Sequence, residues 1–332
     1  MPERAVEPGA PASGPSSRPA ELGRTQGFVT VALTLLGWSS IPLFLRHFAE
    51  SIDAWTSNGV RYGFAALLWL PALLRAARRG TLPKGLLRAA LLPSLFNCLG
   101  QVAFALAHYR TKPGLLTFGM RTQIVFVGLG AAALFPGERA LLRRPAFLAG
   151  MALVFGGSLS MMLLGGALRG ATGEGLGLAV LAGVLFAGYG LAVRRNMAGA
   201  PPILAFAAIS QYTAAGMVAA MLIFGDRAGL GILDLPRSEI GLVLLSSVIG
   251  IALGHVFYYI SIARLGVTVT AGVIQLQPFC VAGASYFLFG ERLSPVQWAA
   301  GAVAVTGAAV MLRAQGGAAP SKVSGPPGRS RA

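Results

Sequence analysis

Gly290-Glu291-Arg292-Leu293-Ser294-Pro295-Val296-Gln297-Trp298 closes one apolar run and opens another. Gly137-Glu138-Arg139, about 150 residues earlier, echoes its first three residues and also lies between an apolar run and a proline that opens the next. Around the two tripeptides the chain repeats itself, with five hydrophobic segments in each half. The odd number matters. A second copy of a five-crossing unit must enter a bilayer from the opposite side, so the halves become inverted repeats, the arrangement behind alternating access.

Of 332 residues, 55% are hydrophobic and 11% charged, whereas a soluble domain carries about 25% charged residues. Apolar runs occupy residues 28–45, 55–74, 86–107, 114–135, 146–165, 175–193, 203–224, 240–262, 267–289 and 295–312. Each is near the length that spans about 30 Å of hydrocarbon. Lipid leaves backbone polar groups no partner but the chain itself, so each run is expected to be a helix. The period-2 alternation of a membrane barrel is absent. The expected fold is an all-α integral membrane protein with ten transmembrane helices in two inverted five-helix repeats.

The net charge of +16 invites a nucleic-acid reading, but its distribution argues otherwise. With the N-terminus in the cytoplasm, 18 of the 27 Lys and Arg fall on that side, 7 fall outside, and Arg61 and Arg121 lie within apolar runs. That is the positive-inside bias of a multi-pass protein of the cell membrane with both termini cytoplasmic. No basic block is left over for a nucleic acid. Cys98 and Cys280 sit in apolar runs at non-matching positions and read as packing thiols rather than a disulfide. The expected partners are a small-molecule substrate and the lipid bilayer, with the chain a monomer or homodimer.

Residues 1–26 and 314–332 are rich in small residues and proline and read as disordered cytoplasmic tails. The repeats are expected at 27–166 and 172–313. Phe104 falls on Phe257, Arg61-Tyr62 on Gln211-Tyr212, Gly150 on Gly301, Gly156 on Gly307 and Arg46 on Arg195, all at similar offsets. The 45 glycines suit close helix approach in lipid, as at Gly59-x-x-x-Gly63 and Gly250-x-x-x-Gly254.

The stretch Gly290–Trp298, followed by Gly301 and Gly307, and the pair Arg61-Tyr62 resemble the EamA branch of the drug/metabolite transporter superfamily. The resemblance covers nearly all of the chain between the tails. It implies ten helices in two inverted halves, cytoplasmic termini, a central substrate cavity and, in many members, export of amino acids or other small metabolites. The first copy departs from the pattern, with Phe147 where the second has Trp298 nearby. Gln277-Pro278 has no proline counterpart in the fourth run.

All eleven acids lie in tails, loops or segment ends, so no intramembrane carboxylate offers an ion site. This favours facilitated or weakly coupled exchange. Arg121 lies about 12 Å into the fourth run, where an arginine costs about 2.5–3.5 kcal/mol to insert. It would either receive an anionic group such as a substrate carboxylate, or be satisfied by backbone carbonyls and the Gln123 region. Arg61 reads as snorkelling or bracing its helix. On the third run Asn97, Gln101, Phe104 and His108 share one face; Asn97 and Gln101 are candidate cavity residues, and His108 reads as a solvated interface histidine. On the eighth run His255, Tyr258 and Tyr259 form a similar face. His255 suits proton exchange or simple packing. Gln275 and Gln277 lie on the ninth run, beside a proline that loosens its backbone. Trp38 and Tyr189 would wall the cavity. Glu138 and Glu291 read as anchors, complementing the next helix's positive end and pairing with adjacent arginines.

No phosphate loop, H-E-x-x-H signature or cysteine–histidine cluster is present, so no catalytic residue, metal or cofactor is expected. The expected function is export of small polar metabolites, amino acids or related carboxylates, by alternating access. The alternatives are an exporter of hydrophobic cations or drugs, a nucleotide-sugar carrier and, outside transport, an intramembrane enzyme or lipid-binding assembly factor.

Overall fold

The structure, a computed structural model, describes residues 18–164, 171–265, 270 and 273–316. Its helices in chain order are α1 (Arg18–Phe48), α2 (Ala54–Arg78), α3 (Leu86–His108), α4 (Pro113–Leu134), α5 (Pro145–Leu164), α6 (Ala171–Asn196) and α7 (Pro202–Phe224). There follow α8, built from Arg237–Ser246, a π-helical stretch Ser247–Leu253 and Gly254–Leu265, then α9 (Gln277–Phe289) and α10 (Pro295–Gly316). Among the described residues no strand occurs. Eight helices are long and apolar enough to cross a membrane; Pro145–Met161 is a shorter apolar stretch, and α9 has 13 residues. Leu36, Leu67, Ile223 and Phe287 stand exposed, which is stable against lipid and not against water.

Local chemistry sets the helix ends. Asp53 Oδ1 accepts from the amides of Trp55 (3.0 Å) and Thr56 (2.9 Å), capping α2. The repeated signature has a physical reading at its second copy. Gly290 ends α9 in the left-handed region (φ 65°), where a side chain is strained. Ser294 and Gln297 then cap α10 reciprocally: the Ser294 amide donates to Gln297 Oε1 (2.9 Å) and the Gln297 amide to Ser294 Oγ (3.3 Å). Pro295 occupies the first helical position. Trp298 lies parallel to Phe279 at 5.9 Å and edge-on to Phe118 at 6.2 Å, joining α10 to α9 and α4.

Every principal helix pairing joins one half to the other. α5 packs on α10, α2 on α7 and α4 on α9; α3 lies against α6 and α7, α8 against α1 and α2, α4 against α6, and α9 against α1. Replace each helix by the one five places along, and this set maps onto itself. At the α5–α10 crossing the backbones meet: a Cβ at Gly150 would stand 2.7 Å from Gly307 O, and one at Gly307 would stand 2.6 Å from Gly150 O. Gly59 meets Met221, Gly250 meets Ile41 and Gly254 meets Trp38 just as closely. Cys98 and Cys280 are free and half-buried.

Polar contacts mark two ends of the bundle. At one end Arg46 pairs with Glu291 (3.4 Å), His47 with Glu239 (2.8 Å) and Arg110 with Glu174 (3.5 Å). At the other, Arg144 Nη1 donates to Ala314 O (2.6 Å), and Arg264 lies against Gly23.

Several expectations are corrected. Residues 18–26, expected in the tail, are helical, and α10 runs on to Gly316; residues 1–17 and 317–332 lie outside the described residues. Glu291 pairs with Arg46 of α1 and accepts from Ser285 Oγ (2.6 Å), while the adjacent Arg292 lies over the Tyr286 ring instead. The next helix takes its cap from Ser294 and Gln297, so the carboxylate is free to tie α9 to α1. The Glu138 side chain lies outside the described residues. Arg61 does not snorkel: it is 2% exposed, with Nε donating to Ser246 Oγ at 2.9 Å. His108 is not a solvated interface residue. It is 1% exposed, its Nδ1 donates to Phe104 O (2.8 Å), and its ring meets that of Phe104 edge-on at 4.3 Å.

Candidate functional site

α4 is the most enclosed candidate span, with 72% of its apolar window buried. Its α-helical pattern is broken by a 3₁₀ turn, Met120–Thr122, with Arg121 in the middle. Such turns inside a helix recur at hinges and functional sites. α9 begins just after a turn at Gln275 and Leu276, and Pro278 lies in its first turn, where a missing amide costs nothing.

The two irregular points meet through Arg121, which is 7% exposed. Its Nε donates to Thr117 O (3.2 Å). Nη1 donates to Ile274 O (3.3 Å) and Gln275 Oε1 (3.4 Å), and Nη2 to Gln277 Oε1 (3.1 Å). Four of the five guanidinium N–H groups therefore have protein acceptors, and all four acceptors are neutral. Among the described residues no carboxylate pairs with Arg121. Geometry is satisfied and charge is not. The acceptors are Gln275 and Gln277 of the other half, not the Gln123 region.

From there a connected set of aromatic and polar groups leads away. Gln277 Nε2 donates to Trp38 O (2.9 Å). The Trp38 indole meets Tyr258 at 4.9 Å and His255 at 5.4 Å, and its Nε1 donates to Gly250 O (3.2 Å) inside the π-helical stretch of α8. Trp69 Nε1 donates to Ala252 O (3.1 Å) in the same stretch. Two indoles from α1 and α2 thus satisfy carbonyls where α8 loses its regular ladder. Tyr259 OH lies 3.0 Å from Tyr189 OH. His255 is a packed histidine here: Nδ1 donates to Ile251 O (3.2 Å), and the ring stacks on Phe206 at 4.9 Å.

Of the expected site residues, Arg121, Gln275, Gln277, Trp38, His255, Tyr258, Tyr259 and Tyr189 form this continuous group. Asn97 does not join it; buried at 2% exposure, it donates to Thr213 Oγ1 of α7 (3.1 Å). Gln101 meets Asn58 through its backbone carbonyl (3.0 Å), which leaves its side chain half-buried and apart. Gln123 is half-buried after the 3₁₀ turn and has no hydrogen bond to the group. Phe206, Trp69 and the carbonyls of Thr117 and Ile274 were not legible as site groups. One phenylalanine among 18 carries no signal, and a backbone carbonyl has no letter in the sequence. Among the described residues no three His, Cys, Asp or Glu are grouped to hold a metal.

The helices and the neutral cradle around a buried cation define a multi-pass α-helical membrane protein with a polar site between its halves. Residues 173–313 match the model of the EamA-like transporter family, one of the families of the drug/metabolite transporter superfamily. Members of that family are transporters rather than enzymes. No curated protein matches the chain at a significant level. One solved structure, described as "Crystal structure of protein", superposes with a TM-score of 0.58 at 20% identity, covering 87% of this chain and 97% of its own; that likeness concerns the fold alone.

Proposed function

We propose that this chain exports amino acids or related small carboxylates from the cell by alternating access, with both termini cytoplasmic. In this reading ten helices cross the membrane as two inverted repeats, residues 27–166 and 172–313, and rock about the site at Arg121. The invariance of the helix pairings under exchange of halves supports the two-fold relation. Interrupted helices meeting at an interface between repeats are where carriers bind anionic groups. α4 and α9 are both interrupted where Arg121 reaches Ile274, Gln275 and Gln277.

The observation that carries the substrate class is the buried Arg121 with only neutral acceptors. A carboxylate arriving at its remaining N–H gains a charge-assisted hydrogen bond and neutralises the site. The ring faces of Trp38 and Tyr258 next to it suit the apolar part of a small metabolite. The same cation disfavours hydrophobic cations as cargo.

The test is uptake and counterflow of labelled amino acids and small carboxylates by purified protein in liposomes, with a cationic dye as competitor. Arg121→Gln should lower carboxylate transport by about 30-fold or more, as expected for a charge-assisted bond of roughly 2 kcal/mol. Wild-type rates from Arg121→Gln, or competition by the dye alone, would overturn the assignment.

A further inference from the structure

A second buried arginine lies outside the site described above. Arg61 is 2% exposed on α2, between α3 and α8. Its Nε donates to Ser246 Oγ (2.9 Å), and the oxygen of that serine's neighbour, Ser247, donates to Arg61 O. Among the described residues the four N–H groups on Nη1 and Nη2 have no acceptor, and no carboxylate pairs with the cation.

Orphaned polar atoms surround it. Ser57 lies one turn earlier on the same face of α2, is 0% exposed, and its Oγ makes no hydrogen bond of ordinary length, the Tyr109 hydroxyl oxygen being its one polar neighbour among the described residues. Next to it the Tyr109 hydroxyl is committed to Ile52 O at 2.8 Å. His108, 1% exposed, spends Nδ1 on Phe104 O, and its Nε2 is unpartnered. Buried polar groups are almost always paired, and a buried charge without a counter-charge is the costliest kind of exception. Arginine cannot escape by losing its proton. The guanidinium and the Ser57 hydroxyl lack an acceptor bearing negative charge, whereas His108 Nε2, with the ring proton on Nδ1, is itself an acceptor that lacks a donor.

We propose that Arg61, with Ser57, binds a small monovalent inorganic anion of about the size of chloride between α2, α3 and α8. The guanidinium N–H groups and the Ser57 hydroxyl are the donors, and His108 Nε2, an acceptor, takes a hydrogen from a water that donates its other one to the ion. The near-complete burial of Arg61 and Ser57 favours a small ion over anything as large as an amino acid. The ion neutralises Arg61 at the point where α2 is bound to the head of the π-helical stretch of α8, and it is separate from the carboxylate received at Arg121. The assignment therefore stands or falls independently of the cargo.

Full-length protein in detergent is titrated with chloride against gluconate at fixed ionic strength, with unfolding followed by tryptophan fluorescence. Chloride and bromide should raise the melting temperature saturably by a few degrees, and sulfate should not. The response should vanish in Arg61→Gln. In Ser57→Ala, which keeps the charge and carries the test should Arg61→Gln not fold, the half-saturating concentration should rise about fivefold or more, the loss of one hydrogen bond to an ion. A melting temperature indifferent to chloride, a non-saturating rise shared with sulfate, or an unchanged half-saturation in Ser57→Ala would overturn the proposal.

Discussion

Gly156 and Gly157 are adjacent glycines in the middle of α5, and the same substitution should move stability in opposite directions at the two positions. A methyl added at Gly156 meets nothing within 4 Å and points to lipid. Alanine there gains the difference in helix propensity, about 0.8–1.0 kcal/mol in a soluble reference, and disturbs no contact. At Gly157 the same methyl would stand 2.5 Å from Ala304 N, 2.7 Å from Ala300 O and 2.9 Å from Ala304 Cα. All three are backbone atoms of α10 and cannot rotate away. Restoring ordinary contact requires the helices to separate by about 1 Å, which withdraws Val154, Ala308 and Met311 from the core they share with Phe147. Overpacking of this kind costs about 1–3 kcal/mol, which outweighs the propensity gain. At about 2–4 °C per kcal/mol for chains of a few hundred residues, Gly157→Ala should melt several degrees below wild type and Gly156→Ala at or slightly above it. The assay is thermal unfolding of the detergent-purified variants side by side. Shifts of the same sign and size would mean that α5 and α10 do not cross as described.

Removing the α2 cap with Asp53→Ala should cost about 1 kcal/mol, read as a lower melting temperature. Burial pushes the Asp53 carboxyl up, but hydrogen bonds from Thr56 and from the Asp226 and Trp55 amides outweigh it and hold the group below its usual value. A carboxyl lowered in the folded state adds stability that is fully present above about pH 4 and fades as the pH falls through the folded value. The gap between wild type and Asp53→Ala should therefore narrow in acid; a gap that widens there is the refuting result. Glu291→Gln breaks the half-exposed pair with Arg46 and should cost under about 1 kcal/mol, while raising thiol labelling of a cysteine placed at Ser285. Unchanged labelling would show that the pair does not hold α9 against α1.

Hydropathy made the helices legible because lipid permits few other backbones. What it could not supply was which residue of a polar face meets which partner. Asn97 and Gln101 share a helical face with His108, yet Asn97 binds Thr213, and Gln101 touches Asn58 only through its carbonyl. Periodicity gives a face, but the neighbour that faces it is a tertiary fact. Arg121 was legible as an anomaly, because a deep arginine demands an explanation. Its partners were not, since two of the four acceptors are backbone carbonyls. Gln275 and Gln277 drew attention singly, and only the juxtaposed breaks in α4 and α9 made them one site with Arg121.

The position of Arg121 has a further consequence. The repeat offset that carries Phe104 to Phe257 and Gly137 to Gly290 carries Arg121 to Ile274, and Arg121 Nη1 donates to Ile274 O. In a two-fold arrangement a residue that touches its own image lies beside the axis. Whatever charge stands at one image position is therefore a near neighbour of whatever stands at the other. Two arginines there would repel by about 4 kcal/mol at 4 Å and an effective dielectric of 20, besides the cost of inserting the second. In the proposed two-fold arrangement, symmetry of the backbone thus demands asymmetry of charge: one half supplies the cation and the other its neutral acceptors, Gln275 and Gln277. Ile274→Arg should be recovered poorly and melt far below wild type, while Arg121→Ile combined with Ile274→Arg, which restores a single cation, should recover much of the loss. Ile274→Arg melting like wild type, or the pair melting no higher than Ile274→Arg alone, would place Arg121 away from the axis and remove the reason for locating the site between the halves.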